Sequence, residues 1–250
     1  MRPPTKDTDF LVVIPARYSS SRFPGKALAD LGGMTVLHRC VEQVRLVVPH
    51  DQIIVATDDE RIADECRKHD MQYEMTSPTC LTGTDRVAEV ARRLAAEWYV
   101  NVQGDEPFLD PTGLRAIIDA TRDSEDDVLV INASAPIVDE ADFRSTTVPK
   151  VVNDIHGRLL YMSRAAIPTT KQLEFVSARR QVGLYAFRSS ALRTFADHGT
   201  KTPLEALEDI EILRFMELGI SVRMIEVPSV GIAIDTPEDL VRARRHLERA

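Results

Sequence analysis

The run Phe10-Leu-Val-Val-Ile-Pro15 carries no polar residue in alternation. A strand with one wet face alternates. One that does not is buried on both faces, which is the setting of a parallel sheet covered by helices. Gln52 to Thr57 is a second run of this kind, and further strands are expected over Tyr99 to Gln103 and Asp127 to Ala133. Helical patterns separate them. One runs from about Met34 to Val47, and Asp58-Asp59-Glu60 opens an acid-rich helix start. Over Gly83 to Ala96, Val87, Val90, Ala91 and Leu94 fall at i, i+3, i+4 and i+7. Asp110-Pro111 reads as N-cap and first helical position, with Leu114, Ile117 and Ile118 turned inward. The alternation predicts an α/β chain built on a doubly wound, mostly parallel sheet.

From Val148 the pattern changes. Lys150 to Asn153 and Leu159 to Met162 form an expected hairpin around Asp154 to Gly157, and Val182 to Phe187 is a further strand. The stretch from about 148 to 188 therefore reads as a lobe inserted in a single domain spanning 1–250. Short strands are expected over Ser221 to Val227 and Val230 to Ile234. Thr236-Pro237-Glu238-Asp239 then caps a C-terminal helix.

Composition removes several functional classes. A chain of 250 residues with 44% hydrophobic content buries roughly 70–75% of its unfolded surface and needs no covalent staple. Cys40, Cys66 and Cys80 are odd in number and contain no C-x-x-C pair. A disulfide framework and a four-cysteine zinc site are both excluded, and a reducing cytoplasm fits. The net charge of −8 argues against a general nucleic-acid binder. The polar start, Met1 to Asp9, and the short first apolar run do not make a secretion signal. No run approaches the roughly 20 apolar residues of a membrane span. A soluble cytoplasmic protein is expected.

In a doubly wound sheet the ligand sits beyond the carboxyl ends of the strands. After the first strand comes Pro15-Ala16-Arg17-Tyr-Ser-Ser-Ser-Arg22-Phe-Pro-Gly-Lys26. This is neither a Walker A loop nor a dinucleotide G-x-G-x-x-G. Three cations, three serines and a glycine on one loop suit a triphosphate, the plainer alternative being a solvated surface loop. Of the 31 basic residues 25 are arginine. That fits bidentate phosphate or carboxylate contacts, or simply a GC-rich coding genome. After the fourth strand, Gln103-Gly-Asp105 puts a carboxylate where Mg²⁺ could meet phosphate oxygens. Ile234-Asp235 repeats the arrangement, with a helix N-cap as the alternative for Asp235. Gly83-Thr84-Asp85-Arg86 opens a helix whose free N–H groups could meet a base or an anion.

These segments resemble the CMP-Kdo synthetases, the 3-deoxy-manno-octulosonate cytidylyltransferases. The matching motifs, in order, are VVIPARYSSSRFPGKAL, ATDDERI, TGTDRVAEV, YVNVQGDEPF, KVVND…GRLLYMSRAAIP, QVGLYAF, TPLEALEDIEILRFMELG and IDTPEDL, from Phe10 to Leu240. The resemblance implies a Rossmann-like nucleotidyltransferase that dimerises partly through the inserted strands. It implies attack of an acceptor oxygen on the α-phosphorus of CTP, with pyrophosphate leaving. By position, Arg17, Arg22 and Lys26 would hold the triphosphate, and Pro15, Ala16, Gly83, Thr84, Asp85, Arg86 and Gln103 would surround the nucleotide. Asp105 and Asp235 would ligate Mg²⁺ and complete the catalytic set. Arg164, Gln181, Tyr185 and Glu211 would face the acceptor.

The match departs at the acceptor. The family's H-I-G-I-Y reads Gln181-Val-Gly-Leu-Tyr185 here, its L-E-Q-L-R reads Ile210-Glu211-Ile212-Leu-Arg214, and Cys80 replaces the histidine of His-x-Ser-Gly-Thr. A pocket that loses hydroxyl partners discriminates against hydroxylated ligands. Because relatives of the resembled family attach CMP to phosphonoformate, these departures make the expectation a small anionic acceptor such as phosphonoformate, with Kdo as the alternative. A non-catalytic nucleotide-binding module is the alternative of another class.

Overall fold

The computed structural model describes residues 9–20, 22–228 and 231–249. The polar segment 1–8, Ser21 of the cationic loop and Val230 of the last expected strand lie outside the described residues. The first apolar run forms β1 (Phe10–Ala16). Its side chains divide by parity between two cores. Phe10, Val12, Ile14 and Ala16 enter one cluster, and Leu11 and Val13 enter another. That division is what a strand covered on both faces requires.

The chain continues through α1 (Val36–Arg45), β2 (Ile53–Thr57), α2 (Glu60–Lys68), β3 (Tyr73–Met75), α3 (Gly83–Ala91), β4 (Trp98–Val102) and α4 (Pro111–Arg122). Then come β5 (Val130–Ile137), α5 (Glu140–Arg144), β6 (Lys150–Asn153), β7 (Leu159–Ser163), β8 (Ala178–Arg188) and α6 (Ser189–His198). The last elements are α7 (Pro203–Glu208), α8 (Ile212–Glu217), β9 (Val222–Glu226) and α9 (Pro237–Leu247). The main sheet runs in the order β3-β2-β1-β4-β8-β5-β9. β1 is parallel to β2 and β4, β2 to β3, and β5 to β9, while β8 lies antiparallel between β4 and β5. The fold is a Rossmann-like α/β sandwich. Residues of α1 and α4 fill one core, and residues of α3, α6 and α8 fill the other.

Several boundaries differ from expectation. α3 ends at Ala91 rather than Ala96, because the Tyr99 hydroxyl donates to the Leu94 carbonyl at 2.8 Å and accepts from the Ala96 N–H at 3.0 Å. β5 begins at Val130, after the acidic stretch ending at Asp127. The hairpin of β6 and β7 forms as expected. β8, however, belongs to the middle of the main sheet, so only β6 and β7 of the expected lobe stand off its main path. Residues 231–234 form no strand. Instead the Ile234 N–H donates to the Asp105 carbonyl at 2.8 Å, and the Ile234 side chain packs with Leu31, Val36 and Leu240.

Candidate active site

The loop after β1 folds back at Gly25, whose φ of 75° is the left-handed region that glycine enters without cost. The turn presents Lys26 to the carboxyl end of the sheet. Its ammonium donates to Asp105 and, at 3.0 Å, to Asp235. Arg22 reaches the same Asp235 oxygen at 3.0 Å. Burial works against the charged lysine, but the attraction of Asp105, joined by Asp235, outweighs it and holds Lys26 above its ordinary pKa.

Asp105 stands on the turn after β4, which must run close to β1. A Cβ at Gly104 would come within 2.7 Å of the Pro15 carbonyl, so the glycine of Gln-Gly-Asp permits the approach. The bond from Ile234 N–H to Asp105 O fixes the second aspartate's loop beside the first. Asp235 is not the helix cap. Thr236 caps α9, and Asp239 accepts from the N–H groups of Thr236 and Asp235 at 2.9 and 3.0 Å. The Asp235 carboxylate is thereby left for Lys26 and Arg22. The two aspartates offer only oxygen donors and surround a cation, the donor chemistry that a hard divalent ion such as Mg²⁺ takes.

These residues line one wall of a cleft of about 380 Å³, together with Arg17, Ala16 and Gln103. The opposite wall is the start of α3. Thr82 and Asp85 close a capping box there, and Glu211 accepts from the N–H groups of Gly83 and Thr84 at 3.1 and 2.9 Å. Gly83 and Arg86 line the cleft, whereas Thr84 and Asp85 do not. Asp85 is instead bound to the buried Arg214 at 3.1 Å. Arg86 is held by Asp58 at 2.8 Å and Thr76 at 2.7 Å.

Two lining residues were given no role by the sequence: Lys201, just before the motif TPLEALEDIEILRFMELG, and Asp209, inside it, paired at 2.6 Å. Asp209 has φ of 52°, an uncommon conformation for a non-glycine residue that often marks a functional site. The hydrogen bond from Lys201 overcomes burial, and with Arg17 adding its charge the Asp209 carboxyl lies below the usual range. Glu106, next to Asp105, does not line the cleft, and burial with Asp105 beside it pushes its carboxyl up to about 8.

The expected acceptor residues separate. Glu211 lines the cleft. Arg164 does not: its guanidinium donates to the carbonyls of Glu208, Thr146 and Asp209, which consumes Nε, Nη1 and Nη2 in bracing the backbone. Gln181 donates to Asn132 at 3.1 Å, and Tyr185 stacks on Phe187 with centroids 5.9 Å apart. Ile212 is 1% exposed and packs in the α8 core. Ile212 therefore fills hydrophobic volume, and its identity does not thin out a polar cleft wall.

A family model described as Cytidylyltransferase matches residues 11–223. The 3-deoxy-manno-octulosonate cytidylyltransferase of Syntrophotalea carbinolica is 42% identical over 245 residues, covering 94% of this chain and 97% of that protein. Its counterpart in Anaeromyxobacter dehalogenans strain 2CP-1 is 43% identical over 236 residues, with 93% and 95% covered. Among solved structures, CMP:2-keto-3-deoxy-manno-octonic acid synthetase complexed with CTP superposes with a TM-score of 0.90. It covers 97% of this chain and 99% of its own, at 32% identity.

Proposed function

The chain belongs to the cytidylyltransferase family, and from that premise we propose that it transfers CMP from CTP to 3-deoxy-manno-octulosonate (Kdo). The observation that carries the reading is the juxtaposition of Arg17, Arg22 and Lys26 with Asp105 and Asp235 at the ends of β1 and β4. It is joined by more than 40% identity to Kdo cytidylyltransferases over nearly the whole chain. The phosphonoformate expected from the sequence finds no support in these comparisons. The argument for it also leaned on Ile212, which is a core residue.

In the proposed reaction an acceptor hydroxyl oxygen forms a bond to the α-phosphorus of CTP. The bond from that phosphorus to the β-phosphate bridging oxygen breaks, pyrophosphate leaves, and the hydroxyl proton is lost. Phosphoryl transfer needs positioning and charge neutralisation above all. Arg17, Arg22 and Lys26 supply the charge at the triphosphate. Gly83, Arg86 and Gln103 bound the space for the nucleoside. Asp105 and Asp235 would hold Mg²⁺, which when bound neutralises phosphate charge and lowers the pKa of a coordinated hydroxyl. A cytoplasmic setting belongs to the same proposal, supported by three free cysteines.

The test is pyrophosphate release from CTP with Kdo and phosphonoformate in competition, and identification of the CMP adduct by mass spectrometry. The higher kcat/KM is expected with Kdo. A preference for phosphonoformate would return the acceptor to the first expectation, and no release with any acceptor despite CTP binding would make the chain a nucleotide sensor. Asp105→Asn and Asp235→Asn should each lower kcat by roughly 10²–10³-fold with the fold retained, the scale of losing a developing-charge partner. Near-normal turnover of both variants in Mg²⁺ would remove the two-carboxylate assignment.

A further inference from the structure

A second cluster of ligating side chains lies away from the cleft, where the last turn of α2 meets the first turn of α1. Two i,i+4 pairs face each other there, each made of one imidazole and one carboxylate. They are His38 with Glu42 on α1, and Glu65 with His69 at the end of α2. A single hydroxyl joins the two helices. Thr35 caps α1 by accepting from the His38 N–H at 3.1 Å, and donates to Glu65 Oε1 at 2.9 Å. The rings of His38 and His69 stand with centroids 4.1 Å apart, tilted by 32°. One ligand atom from each of His38, Glu65 and His69 lies within 4.8 Å of the other two.

Ion pairing alone is a poor account of this arrangement. The His69 Nε2 to Glu65 Oε1 separation is 3.4 Å and that of His38 Nε2 to Glu42 Oε1 is 3.6 Å, both longer than a good N–H···O bond. The His69–Glu65 separation matches another geometry. Two ligands at about 2.0–2.1 Å from a tetrahedral zinc ion are about 3.4 Å apart. In addition, His38 Nδ1 is buried and has no hydrogen-bond partner among the described residues. Buried polar atoms are rarely left so, and those that are call for an ion or a water.

We propose that His38, Glu65 and His69 bind one divalent transition-metal ion of the zinc class, clamping α2 to α1. His38 would ligate through the unpartnered Nδ1 while its Nε2 faces Glu42, and Thr35 donates to Glu65, outer partners of the kind that orient metal ligands. Two imidazole nitrogens with carboxylate oxygen suit zinc rather than magnesium, so this donor set differs in kind from Asp105 with Asp235.

The experiment uses the full chain in excess Mg²⁺ and titrates Co²⁺, whose four-coordinate complexes absorb in the visible, with Zn²⁺ as competitor. One equivalent of Co²⁺ with the four-coordinate spectrum is expected, displaced by Zn²⁺, together with a rise in Tm on adding Zn²⁺. His69→Ala and Glu65→Gln should each weaken binding at least tenfold and abolish the Tm rise. His156→Ala, on the exposed hairpin turn, should change neither. Pyrophosphate release by each variant reports that it has folded. Should His69→Ala fail to fold, the milder Glu65→Gln decides. Absence of the spectrum at millimolar Co²⁺, unchanged affinity in Glu65→Gln, or loss of binding in Asp105→Asn instead would overturn the site.

Discussion

Cys80 occupies a place where a reactive thiol would be a liability, in the wall of the cleft beside Thr82 and Gly83. Its Sγ donates to Glu89 Oε1 at 3.4 Å. Burial first, and then that bond to a carboxylate, push the thiol up to about 12. Only the thiolate attacks an alkylating reagent. At pH 8 about one molecule in 10⁴ carries it, against roughly one in four for a free cysteine. Iodoacetamide should label Cys80 at least about 100-fold more slowly than free cysteine at pH 8. The sign with pH follows: the rate should climb about tenfold per unit past pH 10, where a free thiol has levelled off. Labelling of Cys80 at the free-cysteine rate, followed by peptide mass spectrometry, would contradict this. At the same scale, the cleft residues readable in the sequence are those whose chemistry is concentrated in a short motif. Arg17, Arg22, Lys26 and Asp105 stand in loops directly after apolar strands. The pairing of Lys201 with Asp209 was not readable, although Asp209 stands in a quoted motif, because it depends on the left-handed conformation of Asp209 after α7 and on Arg164 bracing the Asp209 carbonyl. Arg164 and Gln181, polar residues of a recognised motif, make side-chain hydrogen bonds to the protein itself, which the motif alone does not reveal.

Three helices converge on one guanidinium. Arg214 of α8 is fully buried, makes two bonds of 2.6 Å to Glu205 of α7, reaches Asp85 of α3, and lies 3.7 Å from the Phe195 ring centroid of α6. Removing one partner of a buried ion pair strands the other charge. Arg214→Ala should therefore lower stability by about 3–5 kcal/mol, read from the urea midpoint. The double change Arg214→Met with Glu205→Leu should cost less than Arg214→Ala alone, because it strands no buried charge: Asp85 keeps its bonds from Thr82, and the Thr202 N–H loses its acceptor. A double variant less stable than the single one would show that packing, not stranded charge, sets the cost. The same segment also carries Glu211, so this network holds the carboxylate that meets the N-terminus of α3. Elements whose signal is local were legible at this scale: β1, β2 and β4 as apolar runs, α4 by its Asp110-Pro111 start, α9 by Thr236. β8 was underestimated because its first residues, Ala178-Arg-Arg-Gln181, have no apolar run. It becomes a strand only by pairing with β5 over its full length.

Strand order is a property of the whole molecule, and the antiparallel insertion of β8 between β4 and β5 joins residues some 40 to 90 apart in sequence. No local pattern encodes that choice. It has a consequence at the sheet's far side. β6 pairs with β8 only at Lys150 and Val151; just before β7, Arg158 bridges to Arg223 of β9, and beyond that bridge no strand among the described residues pairs with the outer side of β7, which leaves that part of the edge open. Open edges invite further association unless they are covered. On this hairpin the chain exposes large apolar side chains, with Ile155 at 95% and Leu160 at 51%. A homodimer formed through this region is therefore expected, and light scattering should give twice the 28.0 kDa chain mass. In a two-fold interface one substitution appears on both sides. Leu160→Glu should then place two like charges in one interface and shift the protein to the 28.0 kDa species at about 10 μM, a concentration chosen to expose micromolar weakening. Because Leu160 is half exposed in the single chain, the fold itself should lose no more than about 0.5 kcal/mol. A wild-type monomer, or a Leu160→Glu variant that stays dimeric, would place the interface elsewhere or remove it.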